Sequence, residues 1–322
     1  LTIHKAEALG KATLNSANGI NMLGDFIAHD VLTINADTKV LVQFGTLHIA
    51  NGVTVDTNNN DLLIQALDLD LQGIIDVGSA NATISVSTGG VLDKIQIGDA
   101  TLCSTCAMFI SGAELENIFA NTLTIENTAQ AIFVDNVTAA NSENIGTVIL
   151  SSAKHIRFYG AESTFNALTA TSATDMDVLV NVSTDTGDLI LNGDSDVSGG
   201  SDRFLLLSDR VLTSAGDIVL TFSGSAGTID ASADATLDAG GSIIINAGLD
   251  VDDTALLTAG GSITLDGDFA AGFDATLNAD DGITINGAFT ARDNIVLNAD
   301  ANTSADGNDT ITLADGITVE ST

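Results

Sequence analysis

The sequence predicts an all-β chain, a single-stranded parallel β-helix (β-solenoid) in which each coil uses about 20 residues. Three observations lead there: a gapless repeat in the C-terminal third, strand-period alternation inside that repeat, and a composition of small turn residues and aliphatic strand formers.

The repeat reads GSIIINAGLDVDDTALLTAG from Gly241, GSITLDGDFAAGFDATLNAD from Gly261 and DGITINGAFTARDNIVLNAD from Asp281. Ile243, Ile263 and Ile283 form one column, Ile245, Leu265 and Ile285 a second, and Leu257, Leu277 and Leu297 a third. The first two columns are two residues apart, the period of a strand and not of a helix. A short unit of this kind cannot bury its apolar face alone, so successive copies must stack around a continuous core. Asn246, Asp266 and Asn286 share a polar position where side chains can bond from coil to coil. Gly241, Gly261 and Gly282 sit at the coil start, where a corner with positive φ is expected. The same grammar continues less regularly upstream in GDLIL from Gly187, GDIVL from Gly216 and TLTIEN from Thr122.

Composition agrees. The 322 residues are 45% hydrophobic, enough for a substantial core, yet the chain has 12 Phe, 1 Tyr and no Trp, which favours thin repetitive layers. With no Pro and 31 Gly, it reads as many short strands joined by small polar turns. Length divided by the repeat gives about sixteen coils stacked about 4.8 Å apart.

A longer period lies above the short one. Residues 12–37 align without a gap onto residues 275–300, an offset of 263, and residues 46–57 match residues 310–321 after a shift of one. The whole chain, 1–322, is therefore expected to be one continuous solenoid, slightly more than one unit of a tandem super-repeat that carries on beyond both ends. At 20 residues and about 4.8 Å per coil, the super-repeat would measure roughly 63 Å along the axis.

The strings GDIVL and NIVLNADANTSADGNDTITLADGITV, together with DLLIQALDLDLQGIIDVGSANATISVS from Asp61, resemble the filamentous haemagglutinin-type repeat proteins. IQIGDATLCSTCAMFISGAELENIFANTLTIEN from Ile95 looks like a segment that recurs in giant surface proteins of this kind. The resemblance covers most of the chain and implies right-handed coils, an extracellular location, and a role as a subunit or segment of a surface filament or adhesin. Its partners would be itself, as end-to-end copies or flanking repeats, and surface glycans. The motif is a coil pattern, specific for fold and poor for function. The alternative is an extracellular carbohydrate-active or glycan-binding β-helix.

Charge narrows the partners. Nine Lys and Arg against 43 Asp and Glu give a formal charge of -34, which repels nucleic acid and anionic lipid. No apolar run is long enough for membrane insertion, and no signal peptide is visible. The acidic surface suits weak binding of divalent cations such as calcium, but no cofactor is expected. SGGSDRFLLL from Ser198 and SADGNDTITL from Ser304 lack the spacing of a calcium roll, and His4, His29 and His48 lack metal-ligand spacing.

No catalytic residues are expected. Carboxylate pairs such as Asp194 with Asp196, Asp252 with Asp253 and Asp280 with Asp281 are too abundant to single out a site. The one concentration of cationic and aromatic groups is SSAKHIRFYG, where strand alternation puts His155, Arg157 and Tyr159 on one face. That face reads either as a glycan grip or as an ordinary solvated strand face. Cys103 and Cys106 in CSTC leave three states open: a local disulfide, half a metal site, or a reduced pair. Sequons stand at Asn81, Asn136, Asn181, Asn302 and Asn308, glycan sites if the source is a eukaryote.

Overall fold

The computed structural model describes residues 1–38, 45–86, 94–99, 103, 105–196, 202–223, 227–302 and 310–321. Every strand pairing described is parallel, as a stack of coils requires, and the chain is a parallel β-solenoid. Contacts divide it into two compact units, Leu1–Lys154 with Ser163–Asn166, and His155–Glu162 with Ala167–Thr322.

In the first unit three ladders run side by side. One joins Thr2–Ile3, Ile20–Met22, Thr46–Ile49 and Asp68–Leu71. A second joins Ala6–Ala8, Phe26–Ala28, Thr54–Asp56 and Ile74–Asp76. The third joins Ala12–Asn15, Leu32–Asn35, Leu62–Ala66, Asn81–Val86, Ile118–Asn127 and Ile145–Ser152. Between Asn81–Val86 and Ile118–Asn127 the chain inserts two further parallel strands, Lys94–Gly98 and Cys106–Ser111. The short helix Gly112–Glu116 follows them. Ser111 starts it with a reciprocal cap, its hydroxyl accepting the Glu114 N–H while the Glu114 carboxylate accepts the Ser111 N–H.

The second unit repeats the three-ladder plan. Leu168–Ser172, Leu189–Gly193, Ile218–Phe222, Ile243–Asn246, Ile263–Leu265, Ile283–Ile285 and Ile311–Leu313 form one ladder. Ile156–Phe158, Met176–Val178, Phe204–Leu206, Thr228–Ala231, Gly248–Val251, Phe269–Ala271, Phe289–Ala291 and Val319–Ser321 form another. Val182–Thr184, Arg210–Ser214, Ala235–Ala239, Ala255–Ala259, Ala275–Ala279 and Ile295–Asn298 form the third.

The register pairs Ile243 with Ile263 and Ile263 with Ile283, Ile245 with Leu265 and Leu265 with Ile285, and Leu257 with Leu277 and Leu277 with Leu297, the three expected columns. Alternate residues point inward, and all of these are fully buried or nearly so except Leu297, which is half-buried, so each column forms a wall of the core. A fourth wall runs through Ile156, Met176, Phe204, Ile229, Leu249, Phe269 and Phe289. Its last two rings lie stacked with centroids 4.5 Å apart and planes 7° from parallel.

Coil length varies along the chain. Leu189 pairs with Ile218, Ile218 with Ile243 and Ile283 with Ile311, steps longer than the twenty residues from Ile243 to Ile263. The first unit therefore has six rungs in its longest ladder and the second has eight, so about sixteen coils is an overestimate among the described residues. Length divided by the shortest coil ignored the corner insertions.

The coil-start glycines differ in part from expectation. Gly282 has φ of 105°, but Gly241 and Gly261 do not take positive φ. They are small because the coils touch: a Cβ on Gly241 would stand 2.2 Å from Asp217 Oδ1, and one on Gly261 would stand 2.6 Å from Ser242 Oγ.

Candidate functional site

The acidic residues have a use inside the fold that composition did not reveal. At many corners a short acceptor side chain of one coil receives a backbone N–H of the next. Asp188 accepts from Asp217 at 2.9 Å, Asp217 from Ser242 at 2.7 Å, and Ser242 from Ser262 at 3.2 Å, a chain of four coils. Asp234, Asp268 and Asp274 serve Thr254, Ala288 and Asn294 in the same way, and Asp61 and Asp25 serve Asn81 and Thr54. At a corner the strand ladder lapses and the N–H would otherwise lack a protein partner; Asp, Asn and Ser are short enough to supply it. The expected polar column forms in part: Asn286 Nδ2 donates to Asp266 Oδ1 at 2.7 Å, whereas Asn246 donates to Thr221 Oγ1 at 3.3 Å.

His155, Arg157 and Tyr159 flank the inward-facing Ile156 and Phe158, as alternation requires. Sequence reasoning missed their partners. Arg157 lies in register with Asp177 on the next strand, and its Nε and Nη2 donate to Asp177 Oδ2 at 3.0 and 2.6 Å. Arg203 reaches the same carboxylate from the following coil, its Nε donating to Oδ1 at 3.0 Å and its Nη2 to Oδ2 at 3.1 Å. Asp177 is 1% exposed although it sits on the outer face, because the two guanidinium groups cover it. A charge buried this deeply persists only when paired and hydrogen-bonded. Arg157 is thus tied into the fold. The signal that could have found the triad is the repeat itself, since Asp177 stands twenty residues after Arg157.

Further along the same ladder the outer face turns acidic. Asp230 and Asp250 are cross-strand neighbours, and the Asp250 carboxyl is raised from 3.8 by burial first, then by Asp252 and Asp230. A carboxylate with a raised folded pKa is penalised when charged, so this cost is present at neutral pH and is lost as pH falls through the raised value toward 3.8. Asp250→Asn is expected to stabilise the protein at pH 7 by about 0.2–1 kcal/mol, the usual scale of like charges placed opposite. Thermal melts should show the gain at pH 7 and its disappearance near pH 3.5. An equal gain at both would mean that repulsion is not the cause.

In the first unit the Asp68 carboxyl is likewise raised, chiefly by burial, against the lowering effect of backbone N–H donors from Phe109 and Leu69. Asp68 accepts the Phe109 N–H at 3.0 Å and Glu114 accepts the Leu71 N–H at 3.0 Å. Asp68–Leu71 is the last strand of its ladder, and these two side chains continue its bonding to the inserted segment. His48 Nδ1 lies 2.7 Å from Asp70 Oδ2, and His29 Nε2 lies 2.9 Å from Glu7 Oε1. Among the described residues no group of three or more His, Cys, Asp and Glu is placed to hold a metal ion.

Cys103 and Cys106 are joined in a disulfide. Asn81, Asn136 and Asn302 are exposed, and Asn136 is at φ of 55°. Asn181 is half-buried and its Oδ1 accepts the Val211 N–H at 3.0 Å, so its amide already serves the next coil. Asn308 lies outside the described residues, as do Ser198 to Ser201 and Ser304 to Asp309 of the two acidic strings.

The two ends of the long sequence period have the same local structure. Ala12–Asn15, Ile20–Met22, Phe26–Ala28 and Leu32–Asn35 correspond at an offset of 263 to Ala275–Ala279, Ile283–Ile285, Phe289–Ala291 and Ile295–Asn298. Their pairings correspond as well. Ala12 faces Leu32 as Ala275 faces Ile295, Ile20 faces Leu47 as Ile283 faces Ile311, and Phe26 faces Val55 as Phe289 faces Val319.

These features define a parallel β-solenoid repeat protein. No family model, curated protein or solved structure matches the chain.

Proposed function

We propose that the chain is a structural segment of an extracellular filament or surface adhesin of the filamentous haemagglutinin type, built by stacking coil on coil. The observation that carries this reading is the correspondence of strands and of pairing register across the 263-residue offset. A unit that returns to the same coil geometry is suited to indefinite repetition, whereas a single binding site needs its geometry once. Its partner is then further copies of itself, continuous or separate. The corner acids fit an exposed surface that stays soluble while carrying many turns.

Electron microscopy of the native material tests the reading. The expected image is a thin filament with a 4.8 Å layer line. Several coils are longer than twenty residues, so the axial repeat should be shorter than about 63 Å. Isolated particles with no end-to-end contact would overturn the filament.

One observation favours a second reading, glycan binding. On the first unit a groove of about 570 Å³ is lined by Leu63, Thr83, Thr124 and Ile149 in one row and by Asp61, Asn81 and Thr122 beside them. Apolar patches alternating with hydroxyl and amide groups suit a neutral sugar better than an acidic one. Saturable binding of neutral oligosaccharides to monomers would move this reading to the front.

A further inference from the structure

The bond between Cys103 and Cys106 spans three residues, so it ties together only what the chain already holds close. Closing so short a loop gives the least stabilisation that a cross-link can provide. The neighbouring strands are held without it, since Lys94–Gly98 pairs with Cys106–Ser111 on one side and with Ile132–Asp135 on the other.

The surroundings favour chemistry at the bond. Cys106 opens its strand directly opposite Lys94, and the register shifts immediately afterwards, a bulge of the kind that re-aims side chains. Lys94 Nζ donates to Thr105 Oγ1 at 3.3 Å and stands 5.8 Å from the centroid of the Phe133 ring. One of only nine cationic side chains is therefore held beside this loop in a chain of formal charge -34. A nearby ammonium favours thiolate over thiol. The two residues also differ in access: Cys103 is 7% exposed, whereas Cys106 is half-buried.

We propose that Cys103–Cys106 is an exchange-competent disulfide that oxidises external thiols, with Cys106 the sulfur attacked. An external thiolate attacks Cys106 Sγ, forming a mixed disulfide and breaking the internal bond. Cys103 leaves as thiolate and takes a proton from water. A second thiolate then attacks the external sulfur of the mixed disulfide, releasing the external disulfide and leaving Cys106 as a thiolate that Lys94 stabilises. Two thiols are oxidised and one protein disulfide is reduced, so electrons balance. This inference is independent of the filament reading.

The test is titration of the intact protein with reduced glutathione, followed by peptide mass analysis. The expected results are a glutathione adduct on Cys106, and labelling by Ellman's reagent at least tenfold faster in Cys103→Ser than in Cys106→Ser. Lys94→Gln should raise the pH midpoint of Cys106 labelling in the Cys103→Ser background, and Lys94→Arg should restore it. If a single variant fails to fold, the adduct on the wild-type chain still identifies the sulfur. A disulfide that resists glutathione in the folded protein, an adduct on Cys103, equal labelling rates, or a midpoint indifferent to Lys94 would each overturn the proposal. So would reduction that melts the coils, which would make the bond a structural one.

Discussion

Ile263→Asp is expected to abolish both the cooperative melt of the second unit and any filament it builds. Ile263 is fully buried and faces Ile243 on one side and Ile283 on the other, so the new carboxylate would stand between two apolar rungs. Loss of a buried Ile side chain removes about 2–5 kcal/mol. An unpaired polar or charged group in the same place adds several more. The sum is comparable to the whole stability of an ordinary domain. Circular dichroism melts and micrographs of the variant give the measurement. Leu256→Ser is the control, because Leu256 points outward at 37% exposure and its loss should change stability by no more than about 0.5 kcal/mol. An Ile263→Asp protein that melts like the control would mean that this column is not a core.

Removing Arg157 and Arg203 together is the second large effect. The double change to Ala removes both cations and with them the cover that buries Asp177; breaking a pair whose partner stays buried costs about 3–5 kcal/mol, and water reaching the uncovered carboxylate should hold the loss below that range. Arg157→Ala alone should cost less, since Arg203 still donates two hydrogen bonds. Adding Asp177→Leu to the double variant should recover most of the loss, because a buried ion cluster replaced by apolar groups of similar volume is often neutral. Denaturant melts of the single, double and triple variants decide the matter. A triple variant as unstable as the double would show that lost packing by the arginine stems, and not the stranded charge, sets the cost.

Where the repeat is gapless, the fold was legible residue by residue. The columns of Ile243, Ile245 and Leu257 need only a period and an alternation, and the pairing register follows them without exception. The aromatic wall was less visible, since Phe269 and Phe289 stand in the same column as Leu249 and Ile229, and only stacking geometry sets the rings apart. Upstream, insertions at the corners broke the period although the strands kept their faces, which is why Leu189 and Ile218 could not be aligned by counting. Gly241 and Gly261 were assigned the wrong reason. A sequence marks a place for a small residue but does not say whether backbone conformation or a neighbouring coil demands it. The outward-facing set of His155, Arg157 and Tyr159 followed from alternation, but Asp177 and Arg203 belong to later coils and become neighbours only through stacking.

The corner hydrogen bonds described above all point the same way. In the series from Asp188 to Ser262, and at Asp234, Asp268 and Asp274, the lower-numbered coil supplies the side-chain acceptor and the higher-numbered coil the backbone donor. At these corners the two faces of a coil are consequently unlike, one carrying the side-chain acceptors and the other the backbone N–H groups that meet them. A two-fold joint would press like faces together, leaving acceptors opposite acceptors. A translational, heterologous joint matches these corner groups, and an interface of that symmetry does not close on itself. The filament proposed above, if built by such joints, would have two chemically different ends.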